Sequence, residues 1–113
     1  MKILFFFHLF IPLISAFFFN KNEYLEMKKY FIRKNIDIVD DKLYYYLNIR
    51  LKLSEEIGLL KTQNEIYNLK RENEIISRLQ KKKLIKDKIF IKDLWQIIFN
   101  KSKNIQIENN RNN

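Results

Sequence analysis

The sequence contains no cysteine, one glycine (Gly58), one proline (Pro12), one tryptophan (Trp95) and one histidine (His8). Without cysteine there is no disulfide and no thiolate zinc site, and the redox compartment leaves no trace. Sandwiches and barrels need frequent turn residues, so the shortage of glycine and proline predicts an all-α chain built of a few long helices. The lone histidine lies in an apolar run with nothing near it to complete a metal site. Most hydrolytic chemistry needs a histidine or cysteine at the reacting centre, so these absences weigh against it.

What is present begins with MKILFFFHLFIPLISAFFF, residues 1–19. One lysine precedes a long apolar stretch, and a small residue, Ala16, follows Ser15. This is the pattern of a secretory signal peptide cleaved after Ala16, which implies export to the periplasm or the cell exterior. The alternatives are an uncleaved membrane anchor, since the run is close to spanning length, or targeting to an organelle. Lysines after the run (Lys21, Lys28, Lys29) outnumber the one before it, so charge does not set an orientation. A membrane is a partner only if this leader stays on.

The remaining residues read as one helical domain from 20 to 106, with ENNRNN in a disordered tail over 107–113. A net charge of +9 over 113 residues favours an anionic partner: nucleic acid, a membrane surface or an acidic metabolite. The central stretch runs from Ile36 to Lys61, with apolar residues at helical spacing: Ile36, Val39, Leu43, Leu47, Leu53, Ile57 and Leu60. Tyr24, Met27 and Phe31 extend the rhythm toward residue 20. Arg50 and Lys61 are eleven residues apart, which on a helix aligns them to within about 20° and separates them by roughly 16 Å. Two such cations could grip a small dianion, or they could belong to a solvated basic face. Arg33 precedes Arg50 by seventeen positions, about 100° around and roughly 25 Å away on one helix, so both cannot serve one small site in one chain.

TQNEIYN (62–68) is the most polar break and reads as a loop. A second helix, Leu69 to Lys83, carries Glu72, Ile75, Ile76 and Leu79 on one stripe. A carboxylate heading an apolar stripe is costly unless paired, although a first-turn Glu also suits the helix dipole. Lys81-Lys82-Lys83 reads as its solvated end. A third helix, Asp87 to Ile107, places Leu94, Trp95, Ile98, Ser102, Ile105 and Gln106 on a broad face. Ser102 and Gln106 are polar within it and need partners, which a polar ligand could supply. A first helix of about forty residues would be near 60 Å long, more than a domain of this size can cover. A second copy packed along the overhang would cover it.

Four blocks in order resemble the all-helical, type II chorismate mutases, including the mutase domain fused to prephenate dehydratase: IRKNIDIVDDKLYYYLNIR, LSEEIGLLK, IYNLKRE and LWQIIFNKSKNIQ. The resemblance covers about Phe31 to Gln106. It implies an intertwined homodimeric helical bundle with three helices per chain. It also implies rearrangement of chorismate to prephenate in aromatic amino-acid biosynthesis, with no cofactor, no metal and no nucleic-acid partner. By position, Arg50 and Lys61 would bind the substrate carboxylates, with Lys61 also near the ether oxygen. Glu72 would hold the ring hydroxyl, Ser102 would help bind a carboxylate, and Gln106 would donate to the ether oxygen. Arg33 would act in the partner's site. Asn68 stands where the family often has an Asp that contacts the hydroxyl; Asn keeps an acceptor and loses the charge. The segment Lys61 to Arg71 is shorter than in the family and lacks the usual proline. Isochorismate pyruvate lyases share the fold but lack this Glu and Ser, so Arg71-Glu72 and Ser102 favour the mutase. The competing readings are a non-enzymatic basic helical or coiled-coil protein that binds nucleic acid or a membrane surface, and a membrane-anchored structural helix protein.

Overall fold

A computed structural model describes residues 20–113; the expected signal peptide or anchor lies outside them. Three helices follow one another: α1 (Lys21–Leu59), α2 (Leu69–Gln80) and α3 (Lys88–Arg111), with a short 3-10 turn at Gln63–Glu65. There is no strand among the described residues, as the shortage of glycine and proline implies. None of their helices is long and apolar enough to cross a membrane. They divide into two units between Leu47 and Asn48.

The first unit is the leading part of α1. Asn20 caps it, its Oδ1 accepting from the Glu23 amide at 2.9 Å. Its apolar stripe is formed but uncovered: Ile36, Val39 and Leu43 are 53%, 46% and 58% exposed.

The second unit holds the end of α1 together with α2 and α3. Leu60 and Lys61 were expected inside the first helix, yet α1 stops at Leu59. Its last amides bond three residues back, Leu60 to the Ile57 carbonyl at 3.1 Å and Lys61 to that of Gly58 at 3.3 Å. That tighter turn rotates Leu60 off the stripe and leaves it 82% exposed. In the break, the Thr62 amide donates to Glu65 Oε2 at 2.6 Å, and Ile66 is buried. Asn68 caps α2 by accepting from the Arg71 amide at 3.0 Å. The helix ends at Gln80 rather than Lys83, because Lys83 takes a left-handed conformation (φ 62°) that ends the helical run.

Asp87 caps α3 through the Phe90 amide at 2.9 Å. This helix continues to Arg111, where the Asn-rich composition predicts a disordered tail from residue 107. Asn109 helps anchor it, its amide donating to Glu55 of α1 at 3.0 Å. The buried residues of α3 are Ile91, Phe99, Ser102 and Gln106. Of the expected face, Ser102 and Gln106 are buried and Leu94, Trp95, Ile98 and Ile105 are partly buried; Ile91 and Phe99 join it as the buried apolar residues. The apolar core among the described residues is small: Ile66, Ile76, Ile91 and Phe99.

Asn68 is the only side-chain cap at the start of α2. Asn68→Ala should lower stability by about 1 kcal/mol, whereas Asn68→Asp, which caps equally well, should unfold at an unchanged or higher temperature. Thermal unfolding followed by circular dichroism measures both.

Candidate functional site

A cavity of about 390 Å³ opens between the end of α1, the break, α2 and α3. All its lining residues belong to the unit that begins at Asn48. From α1 come Arg50, Ser54 and Ile57, one turn apart along one face, and just past its end comes Lys61. The break and α2 add Ile66, Asn68, Arg71, Glu72 and Ile75, while α3 adds Phe99, Ser102, Lys103 and Gln106. Six of the seven expected site residues therefore meet around one space. The seventh, Arg33, is exposed in the first unit and does not line it.

Arg50 is half-buried, and burial pulls its pKa below the ordinary arginine value. The guanidinium stays charged at any ordinary pH. It lies 5.5 Å from the centre of the Phe99 ring and donates to Ser102 Oγ at 3.2 Å. None of the ion pairs among the described residues involves it. A cation stripped of part of its water, with an aromatic face and a hydroxyl but no carboxylate, is suited to take an anion.

Ser102 is fixed from several sides. Its hydroxyl donates to the Ile98 carbonyl at 2.9 Å, accepts from Arg50, and lies 3.1 Å from Ser54 Oγ. Ser54 Oγ also lies 3.0 Å from the Arg50 carbonyl, so its single proton serves one acceptor at a time. Gln106 is 5% exposed. Its Nε2 donates to the Ser54 carbonyl at 3.0 Å, and its buried Oε1 has no partner. That amide keeps a second N–H, so it remains a donor.

Gly58 explains how α3 comes so close. A methyl built there would overlap Gln106 Cγ and lie 3.1 Å from Cβ and 3.2 Å from Cδ. The only glycine in the chain thus marks where α1 and α3 pack through backbone and side chain with no room for a Cβ.

Glu72 is paired. The Lys103 ammonium lies 2.9 Å from its Oε1, with both side chains largely buried. Asn68 lines the cavity, but its Oδ1 already caps α2. The sequence reading passed over Ser54, Arg71 and Lys103 as site residues. Ser54 follows Arg50 by one turn and was detectable from that spacing. Lys103 was hidden by the abundance of lysine.

The cavity offers three unpaired or weakly paired cations, two hydroxyls, two amides and one carboxylate. It has no group of His, Cys, Asp and Glu side chains that could hold a metal, among the described residues. Such a lining can hold and polarise a small dianion carrying a hydroxyl; it offers no nucleophile activated by a base. A basic coiled coil would instead spread its cations over exposed faces. A family model described as chorismate mutase type II matches residues 32–107. No curated protein and no solved structure matches the chain.

Gly58→Ala must displace Gln106 or separate α1 from α3. A shift of about 1 Å at a positioned group can cost about 10²-fold in rate. The variant should therefore lose turnover by one to two orders of magnitude while remaining helical, as followed by the loss of chorismate absorbance and by circular dichroism.

Proposed function

The chain belongs to the chorismate mutase type II family and is an isomerase that converts chorismate to prephenate; we propose that the cavity around Arg50 is where it does so. The observation that carries this reading is Arg50 itself, desolvated and without a carboxylate partner, beside Ser102 and across from a fixed Gln106 amide.

The reaction is an intramolecular rearrangement. The ether C–O bond breaks while a new C–C bond forms, and no proton, electron or group leaves the molecule. A protein can help in two ways. It can hold the dianion folded in a chair-like conformer, which removes an entropic barrier. It can also stabilise the negative charge that grows on the ether oxygen, using donors fixed in advance in a site shielded from water. Arg50 takes a carboxylate through its planar fork, with Ser102 beside it. Lys61 supplies a compact charge to the second carboxylate and the ether oxygen, and the free N–H of Gln106 donates to the same oxygen. Glu72 accepts from the ring hydroxyl. Asn68 also lines the cavity, and its amide N–H groups are left to serve the same hydroxyl.

The active unit in this proposal is a homodimer. Arg33 lies outside the cavity-bearing unit, and the apolar residues that follow it on α1, Ile36, Val39 and Leu43, are exposed. A second copy covers that stripe and carries its own Arg33 to this cavity. We also keep the proposal that the leader is removed after Ala16 and that the mature chain works outside the cytoplasm. Sequencing the N-terminus of the protein from its native host checks this: a start near Phe17 supports it, and an intact Met1 in a membrane fraction refutes it.

Lys61→Ala and Gln106→Ala should each lower kcat by about 10²–10³ with a smaller effect on substrate binding, because both act on charge that develops in the transition state. Unchanged turnover in Lys61→Ala removes that residue from the site. For the dimer, Arg33→Ala and Arg50→Ala should each be inactive alone. Unfolded and refolded together, about half the dimers are mixed, and each mixed dimer has one intact site. Roughly a quarter of wild-type activity should then return; no recovery, or an active monomer, rejects the shared site.

A further inference from the structure

Three side-chain ion pairs are formed among the described residues, and they are not alike. Lys29 with Glu26 and Arg71 with Glu74 are surface pairs, each side chain at least half exposed. Such pairs contribute little. Lys103 and Glu72 are 18% and 13% exposed and meet at 2.9 Å on the wall of the cavity. The ammonium also sits 5.6 Å from the centre of the Tyr67 ring, in the break before α2. Lys103 directly follows Ser102 and precedes Gln106 by one turn. It is therefore placed among the groups assigned to the substrate without being one of them.

Glu72 poses an electrostatic problem. It is the only carboxylate among the lining residues, and the proposed ligand is a dianion. A partly buried, uncompensated carboxylate beside that ligand would repel it. The carboxylate is needed only for the ring hydroxyl, and it has room for both partners: Lys103 takes Oε1, and Oε2 remains to accept.

We propose that Lys103 is a positioning residue for the rearrangement, holding the Glu72 carboxylate toward the ring hydroxyl and offsetting its repulsion of the dianion. This rests on the assignment of the cavity as the substrate site. The hydroxyl takes no part in bond making or breaking, so its hold is alike in ground and transition state. Losing that hold should appear in KM rather than in kcat.

The test is steady-state kinetics with chorismate on the full chain and four variants, each checked by thermal unfolding. Lys103→Met should raise KM by on the order of tenfold, the weight of a hydrogen bond to a charged group, with kcat nearly unchanged. Lys103→Arg, which keeps charge and donors, should restore a near-normal KM. Lys103→Gln should behave as the Met variant, and it carries the test if the Met variant does not fold. Glu72→Gln should raise KM, and adding Lys103→Met to it should cost nothing more, because no carboxylate is left to hold. An unchanged KM in Lys103→Met and Lys103→Gln overturns the inference. So does an undiminished effect of Lys103→Met on the Glu72→Gln background, which would mean direct contact with the substrate. If Glu72→Gln leaves KM unchanged, the assignment of Glu72 to the hydroxyl falls, and this inference falls with it.

Discussion

The close approach of α1 and α3 at Gly58 sets the rest of the site. Because no Cβ intervenes, Gln106 lies against the α1 backbone and bonds the Ser54 carbonyl. One turn earlier on each helix, Ser102 then falls within reach of Arg50 and Ser54. A wider spacing would break all of these bonds together. The pocket is thus a product of helix packing: Arg50, Ser102 and Gln106 are held on helices, and Lys61 sits just past the end of one. That rigidity is what electrostatic stabilisation of a transition state requires, since donors that must reorganise during the reaction lose most of their advantage.

The second constraint is charge. The cavity collects Arg50, Lys61, Arg71 and Lys103 against one carboxylate, Glu72. Concentrating cations in a half-enclosed space costs self-repulsion and desolvation, and the lowered pKa of Arg50 records the desolvation part. A dianionic ligand reverses both costs, so the same arrangement that weakens the empty fold strengthens binding. Arg50 is kept in place by contacts that leave its charge available, the Phe99 ring and the Ser102 hydroxyl. Lys103 is handled the opposite way, its charge spent on Glu72.

How much was legible in the sequence follows from which physics each feature uses. The helices were readable because the 3.6-residue rhythm and the lack of breakers are local properties. Glu72, Ser102 and Gln106 were readable because a polar residue on an apolar stripe is anomalous wherever the stripe packs. The ends were not: α1 stops short of Lys61 through a tightened last turn, and α2 stops at Gln80, ahead of the left-handed Lys83, neither of which has a strong residue signature. Nor was Lys103. Its importance comes from its distance to Glu72 across two helices, and in a chain with 22 lysines and arginines, a single lysine does not stand out. The face of α3 was legible in part: Ser102 and Gln106 are buried on it, whereas Ile91 and Phe99, its buried apolar residues, were not singled out among the many apolar positions of that helix.

The small core bears on assembly. Ile66, Ile76, Ile91 and Phe99 are the buried apolar side chains among the described residues, and all lie in the second unit. Leu53, Leu60 and Ile97 of that unit are exposed, as is the stripe of α1 in the first. Scattered exposed apolar residues are ordinary, but a stripe repeated along a helix is not. Hydrophobic burial supplies most of the free energy of folding, so a long amphipathic helix with Ile36, Val39 and Leu43 exposed is weakly held along that stretch by itself. The proposed dimer covers this face and places Arg33 by the same contact. Folding of that part of α1 and site completion would then be one event, and an isolated chain would lack both the cover on this stripe and the second arginine.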